Sequence, residues 1–299
     1  MSTAANRTTQ GILLYSSNFL LGTMVDAPAK LLQFHNTPIT TTVFLRYAIA
    51  LILLLIFFAV RAQRPEPTHS IPVNILRGLL LTASTFANFY ALRHLPLALT
   101  VSINFAAPLI SCALAPFLLG EKVGPRRWAA VLVGFVGMLI VIRPGADSFQ
   151  PAMLASLFNA LVMALYQIFT RKSGFDDHPE TALLWVFAVG ALISGVAVSV
   201  EGFAAPAPSW LWLVALLMGT AGLGAHVTLA RGLALAPASL LAPFAYTQLI
   251  WMVGSGVLLF GDWPDRYTLI GGAIIVASGI YVWHRERVTG SIVVPATAD

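Results

Sequence analysis

Long apolar runs, broken by short clusters of charge, proline and glycine, set the rhythm of this chain. Stretches such as 48–60 and 209–230 contain no charged residue at all. A bilayer-spanning helix needs about 20 predominantly apolar residues. Reading between the breaks predicts ten such spans, near 12–31, 38–60, 72–92, 97–119, 127–143, 151–170, 180–200, 209–230, 239–260 and 267–284. The runs are long and unbroken where barrel strands would be short and alternating, so the spans are helical. The first run continues at spanning length through Asp26 to Leu32 without a small-residue cleavage site, and it is expected to stay attached.

The pattern also repeats. Leu92-Arg-His-Leu-Pro-Leu-Ala-Leu99 and Leu233-Ala-Leu-Ala-Pro-Ala-Ser-Leu240 lie 141 residues apart, and Gly120-Glu121 answers to Gly261-Asp262 at the same spacing. Pro38 matches Pro179 at 141, and Lys30 matches Lys172 at 142. The expected organisation is one five-helix repeat over 1–147, a second over 148–285, and a cytoplasmic tail over 286–299. An odd number of helices per copy makes the second copy enter the membrane from the opposite side. The fold class is therefore an all-α integral membrane protein of ten transmembrane helices in two inverted five-helix repeats. Inverted repeats place a solute site near the bilayer midplane between the halves and permit alternating access. Short connections leave no space for a soluble domain, so any function sits within the helices.

Composition agrees: 58% of residues are apolar and 10% charged. The net charge of +5 is a matter of topology. With the N-terminus in the cytoplasm, twelve Lys and Arg residues fall at cytoplasmic ends, against Lys30, Arg93, Arg143 and Arg266 outside. That bias places both termini inside and leaves nucleic-acid binding unsupported. A lone Cys112 excludes an intrachain disulfide and a cysteine metal cluster. The chain has no His-Glu-x-x-His, Gly-x-Ser-x-Gly or phosphate-loop motif, and only His226 among the histidines lies inside a span. No enzyme activity, metal or cofactor is expected. A channel is disfavoured because no ring of charges or carbonyl filter motif is present.

Several segments carry a specific resemblance. They are Arg93-His-Leu-Pro-Leu-Ala-Leu-Thr100, Pro108-Leu, Leu119-Gly-Glu-Lys-Val-Gly-Pro-Arg-Arg-Trp128, Gly134-Phe-Val-Gly137 and Arg143-Pro-Gly145, with Pro38 and Phe44-Leu-Arg-Tyr47 in the second span. Together they resemble the EamA-type branch of the drug/metabolite transporter superfamily, over 11–283. The resemblance implies ten helices, both termini inside, and export of small molecules. The second half departs from the first, with Gly-Asp in place of Gly-Glu and Leu249 where the first half has Pro108. Members of the branch include amino-acid exporters of the YddG kind and carriers of nucleotide-like metabolites and riboflavin. The expectation is export of amino acids across a bacterial inner membrane. The alternative is a vitamin or nucleoside-like solute such as riboflavin or S-adenosylmethionine, and the expected partners are the solute and the lipid bilayer, with a monomer as the working state.

Polar groups inside hydrocarbon must face protein, water or solute. In the sixth span Asn159, Met163, Tyr166, Gln167 and Thr170 form one helical stripe, and in the first Tyr15, Asn18, Gly22 and Asp26 form another. Ser84, Thr85 and Asn88 lie in the third span, Thr100 and Asn104 in the fourth, His226 and Thr228 in the eighth, and Tyr246, Gln248 and Trp251 in the ninth. Neutral amides and aromatic rings suit a zwitterionic or amphipathic solute, since rings pack while amides orient polar groups without net charge. The expected solute-binding set is Asn18, Ser84, Asn88, Asn104, Asn159, Tyr166, His226, Tyr246, Gln248 and Trp251, against the alternative that the same residues only pack helices together.

Asp26 and Arg46 are charges inside spans, expected to form a structural ion pair in preference to a coupling or direct solute role. Ionisable groups that could carry a coupling proton are sparse, which favours facilitated transport or exchange. Pro28, Pro108, Pro116 and Pro243 predict kinks. Trp128, Trp210, Trp212, Trp263, Tyr267 and Trp283 read as interfacial anchors.

Overall fold

The computed structural model describes residues 2–62, 71–118, 124–172, 179–235 and 241–288. These residues form helices and turns, with no strand among them. In chain order the helices are α1 (Ser2–Phe34), α2 (Ile39–Val60), α3 (Ile71–His94), α4 (Leu97–Asn104), α5 (Ala106–Leu118), α6 (Pro125–Ile142) and α7 (Ala152–Lys172). The series continues with α8 (Pro179–Glu201), α9 (Leu211–Leu235), α10 (Thr247–Ser255) and α11 (Arg266–Val288). Seven helical stretches are long and apolar enough to cross a membrane, with α4 and α5 crossing as one. Two shorter apolar stretches, Trp128–Ile142 and Phe244–Phe260, and the long α1 complete ten. Ser16, Ser17, Asn18 and Asp26 dilute the hydropathy of α1.

A proline accompanies the break in the fourth span and the irregular start of the ninth. Pro108 cannot donate to the carbonyl of Asn104, and the helix breaks at Phe105 between α4 and α5. The ninth span is irregular along its length: a 3-10 turn over Ala242–Tyr246 precedes α10, and a π turn over Gly256–Phe260 follows it. By contrast α1 runs unbroken through Pro28, and α5 through Pro116. The motif residues Gly120, Glu121 and Pro237, and the tail from 289 onward, lie outside the described residues.

Packing runs chiefly between the halves and obeys the exchange of one repeat for the other. The pair α1/α9 is mirrored by α7/α3, and α3/α8 by α9/α2. The pair α1/α10 is mirrored by α7 against α4 and α5, whereas α2/α8, α4/α10 and α6/α11 each map onto themselves. Two inverted copies interdigitating in this way leave their common axis at the centre, where Tyr47, Phe89, Phe187 and Ile103 are buried. Lipid supplies no hydrophobic drive between helices, so close fit has to hold them. At the α6/α11 crossing a Cβ on Gly137 would lie 2.9 Å from the Gly271 carbonyl oxygen, and one on Gly271 would lie 2.5 Å from the Gly137 oxygen. The backbones therefore touch. Trp128, Trp210, Trp212 and Trp263 are exposed near helix ends, as interfacial anchors are.

Two ion pairs occur among the described residues, both at the end where α1 finishes. Lys30 Nζ lies 2.9 Å from Asp262 Oδ2 and also donates to the Leu95 carbonyl at 2.7 Å. Arg143, at the C-terminus of α6, meets Asp265 at 2.6 Å and lies over the Tyr267 ring. Asp265 caps α11 by accepting the Thr268 N–H at 2.7 Å. Burial alone would raise its pKa, but the Thr268 bonds and the Arg143 guanidinium outweigh it and hold the carboxyl below the usual carboxylate range.

Candidate functional site

The break at Phe105 does more than bend a helix. It sets Asn104 at the end of α4 with its amide toward α3 and α7, where two further asparagines meet it. Asn104 Nδ2 donates to Asn88 Oδ1 at 3.1 Å, and Asn159 Nδ2 donates to Asn104 Oδ1 at 2.9 Å and to Asn88 Oδ1 at 3.5 Å. Ser84, one turn before Asn88 on α3, donates to Asn159 Oδ1. Asn88 in turn donates to Asp26 Oδ1 on α1 at 2.9 Å. Helices α1, α3, α4 and α7 thus share one chain of amides ending in a carboxylate. Each amide offers two donors and two acceptor lone pairs, and the chain leaves part of that capacity unused.

Beside this chain lies a second polar group. Arg46 of α2 donates from Nη1 to the Thr85 hydroxyl, and Tyr47 shares that hydroxyl at 2.8 Å. The guanidinium lies over the rings of Tyr47 and Phe89, at 5.1 and 5.8 Å. Tyr47 is fully buried, and its ring fits because α8 has glycine at 190, where a Cβ would come within 2.4 Å of the ring. The expected ion pair between Asp26 and Arg46 is not formed: each charge takes a neutral partner on α3 instead. Thr85 and Asn88 are three residues apart on α3, a rise of about 4.5 Å, so the two charges are anchored at neighbouring levels of that helix.

The remaining predicted residues divide. His226 packs edge-on against Phe187 at 5.6 Å, on the Arg46 side. Tyr246 meets Phe105 edge-on at 5.2 Å, next to Asn104, and its hydroxyl presses against Gly279 of α11. Gln248 reaches Gly22 of α1, its Nε2 lying 3.6 Å from where a Cβ would stand. Asn18 is half-buried on α1 and hydrogen-bonds none of the other asparagines. Tyr166 lies two turns along α7 from Asn159, about 10 Å, beneath Arg77 at 5.8 Å. Gln167 and Trp251 are exposed. Neighbouring residues on a helix diverge by about 100°, so Gln167 faces a different direction from Tyr166.

Sequence reasoning missed Thr85 as the anchor of Arg46, Tyr47 as its platform, and the Lys30–Asp262 contact. A signal for the last was present: Lys30 and Asp262 are both repeat-matched residues at predicted span ends.

The sequence profile of the EamA-like transporter family matches this chain twice, over residues 11–143 and 150–283. The chain belongs to that family. The two matches are the two repeats, and the protein is a multi-pass membrane protein of a transporter family rather than of an enzyme family. It is 29% identical to a protein of Rickettsia bellii named S-adenosylmethionine uptake transporter, over 82% of this chain and 83% of that one. It is 28% identical to a protein of Vibrio cholerae named riboflavin transporter, over 93% and 95%. A solved crystal structure superposes with a TM-score of 0.62 at 21% identity, covering 97% of this chain and 99% of the other, which shows the shared fold.

Proposed function

We propose that this protein is a secondary carrier of a nucleoside-like or vitamin-like metabolite, working by alternating access across a bacterial inner membrane with both termini in the cytoplasm. The observation that carries this reading is the amide chain of Asn88, Asn104 and Asn159, joined to Asp26, on four helices from both repeats. Neutral amides beside the Phe105–Tyr246 ring pair suit a solute with a heteroaromatic ring and several polar atoms, because rings stack while amides read ring edges. No cluster of arginines suited to a phosphate is gathered there among the described residues. Export of free amino acids was the expectation from sequence. The relatives named for S-adenosylmethionine and riboflavin favour the other class.

Scarcity of ionisable groups in the amide chain supports exchange or facilitated movement down the solute gradient. The test is counterflow into liposomes holding the purified protein, with S-adenosylmethionine, riboflavin and the twenty amino acids as labelled solutes, with and without a pH gradient. Saturable exchange of S-adenosylmethionine or riboflavin without need of the gradient is the expected result. Exchange of amino acids alone would restore the export reading, and exchange of nothing in the panel would sink both.

A further inference from the structure

Two opposite charges, each half-buried in one cluster but kept out of contact, require a physical reason. Desolvating a carboxylate and a guanidinium is costly, and direct pairing is the simplest way to recover part of that cost. Here Asn88 holds Asp26 and Thr85 holds Arg46, one turn apart on α3. The pairing is forgone. Moreover, Arg46 Nε is buried without a hydrogen-bond partner.

Across from that nitrogen the α9 backbone is bare. A Cβ on Gly222 would stand 3.8 Å from Arg46 Nε and 3.7 Å from Val25 Cγ2. The unsatisfied face of the guanidinium therefore looks onto a glycine, with about a methyl group of room between. His226 lies one turn further along α9, against Phe187.

We propose that Asp26 and Arg46 form a clamp for the α-amino-acid end of a zwitterionic solute, resting on the carrier reading above. Arg46 takes one carboxylate oxygen on its Nε side, in the methyl-sized space over Gly222, through a charge-assisted hydrogen bond. Asp26 takes the ammonium, and Asn88 orients its carboxylate. A ligand that carries both charges on groups flanking one carbon bridges the one-turn gap and neutralises each half-buried charge with its opposite. Of the two solute classes, this selects the one with an amino-acid end: a nucleoside joined to an α-amino-carboxylate is bound, and a neutral flavin is not.

The test uses wild-type protein and graded competitors, so that it does not depend on a variant folding. Counterflow of labelled S-adenosylmethionine is competed with S-adenosylhomocysteine, which keeps the amino-acid end, with decarboxylated S-adenosylmethionine, and with 5′-methylthioadenosine, which lacks that end altogether. The first is expected to compete comparably, and the other two at least about tenfold more weakly, the loss of one good charged contact. Gly222→Ala is the matching variant. Its Cβ meets its neighbours at ordinary contact distance, so the melting temperature in detergent is expected to hold while competition by S-adenosylhomocysteine weakens about tenfold.

Equal competition by 5′-methylthioadenosine or riboflavin would overturn the clamp and leave the carrier reading standing. Exchange of methionine with no exchange of any nucleoside or flavin would uphold the clamp and overturn the proposed solute class. A Gly222→Ala protein with unchanged competition would place the carboxylate elsewhere and overturn the clamp as drawn.

Discussion

Replacing Asp262 by Asn puts the contact at the α1 end of the bundle to a quantitative test. Lys30 Nζ and Asp262 Oδ2 are 2.9 Å apart, with side-chain exposures of 13% and 29%. At an effective dielectric constant of about 20, the gross attraction at that distance is roughly 6 kcal/mol. Desolvation and residual water cancel most of it, leaving a net of about 1–2 kcal/mol for a half-buried, charge-assisted contact. The pair ties α1 to the segment after the ninth span, and through the Leu95 carbonyl to the α3–α4 turn. Opening this end must break it. Loss of about 1.4 kcal/mol multiplies the population of the open form about tenfold.

Hydrogen exchange reads that population at amides the structure protects: Leu95 N–H on Ala91 O, Gly261 N–H on Val257 O and Asp262 N–H on Gly256 O. In Asp262→Asn all three are expected to exchange about tenfold faster than in the parent. Lys30→Met should act similarly, and the double variant should add little, giving a coupling energy close to the single effect. Exchange within about twofold of the parent, or strictly additive effects, would refute the idea that this contact holds the end closed.

Other predictions follow from the same geometry. Asn104→Ala removes the 3.1 and 2.9 Å bonds and leaves Asn88 Oδ1 and Asn159 Nδ2 only their long 3.5 Å contact, so it is expected to cost about 1–2 kcal/mol in detergent melts as well as transport; Gln248→Ala, in no hydrogen bond of that chain, should lower counterflow with the melt nearly unchanged. Gly190→Ala drives a methyl into the Tyr47 ring at 2.4 Å and should destabilise by about 1–3 kcal/mol, while Gly254→Ala, with nothing near its Cβ position, should be neutral or slightly stabilising in the same melt. Because Asp265 is held below its usual acidity range, its bonds add stability that is present above the unfolded carboxylate range and lost as pH falls through the lowered folded value. Its side chain is 44% exposed, so the effect is under about 1 kcal/mol, and Asp265→Asn should flatten the acid limb of the melting profile by that amount.

Sequence alone determined the broad architecture, because the bilayer is a uniform solvent that leaves a one-dimensional record. Span length, charge at span ends and the 141-residue echo all survive without knowledge of which helix touches which. The break at Phe105 was likewise foreseeable from Pro108, since the missing donor and the ring clash are local. Tertiary structure alone decided the pairings. Whether Asp26 meets Arg46 depends on where α3 passes between them, and Thr85 and Asn88 intervene. Whether Tyr166 and Trp251 join Asn159 depends on rotation and height within the bundle, and a polar stripe does not encode what faces it. The same holds for Lys30 and Asp262, which are 232 residues apart and meet because inverted copies interdigitate. A polar residue in a span announces that it needs a partner, and only the fold says which one, since long-range contact is set by the packing of every helix at once.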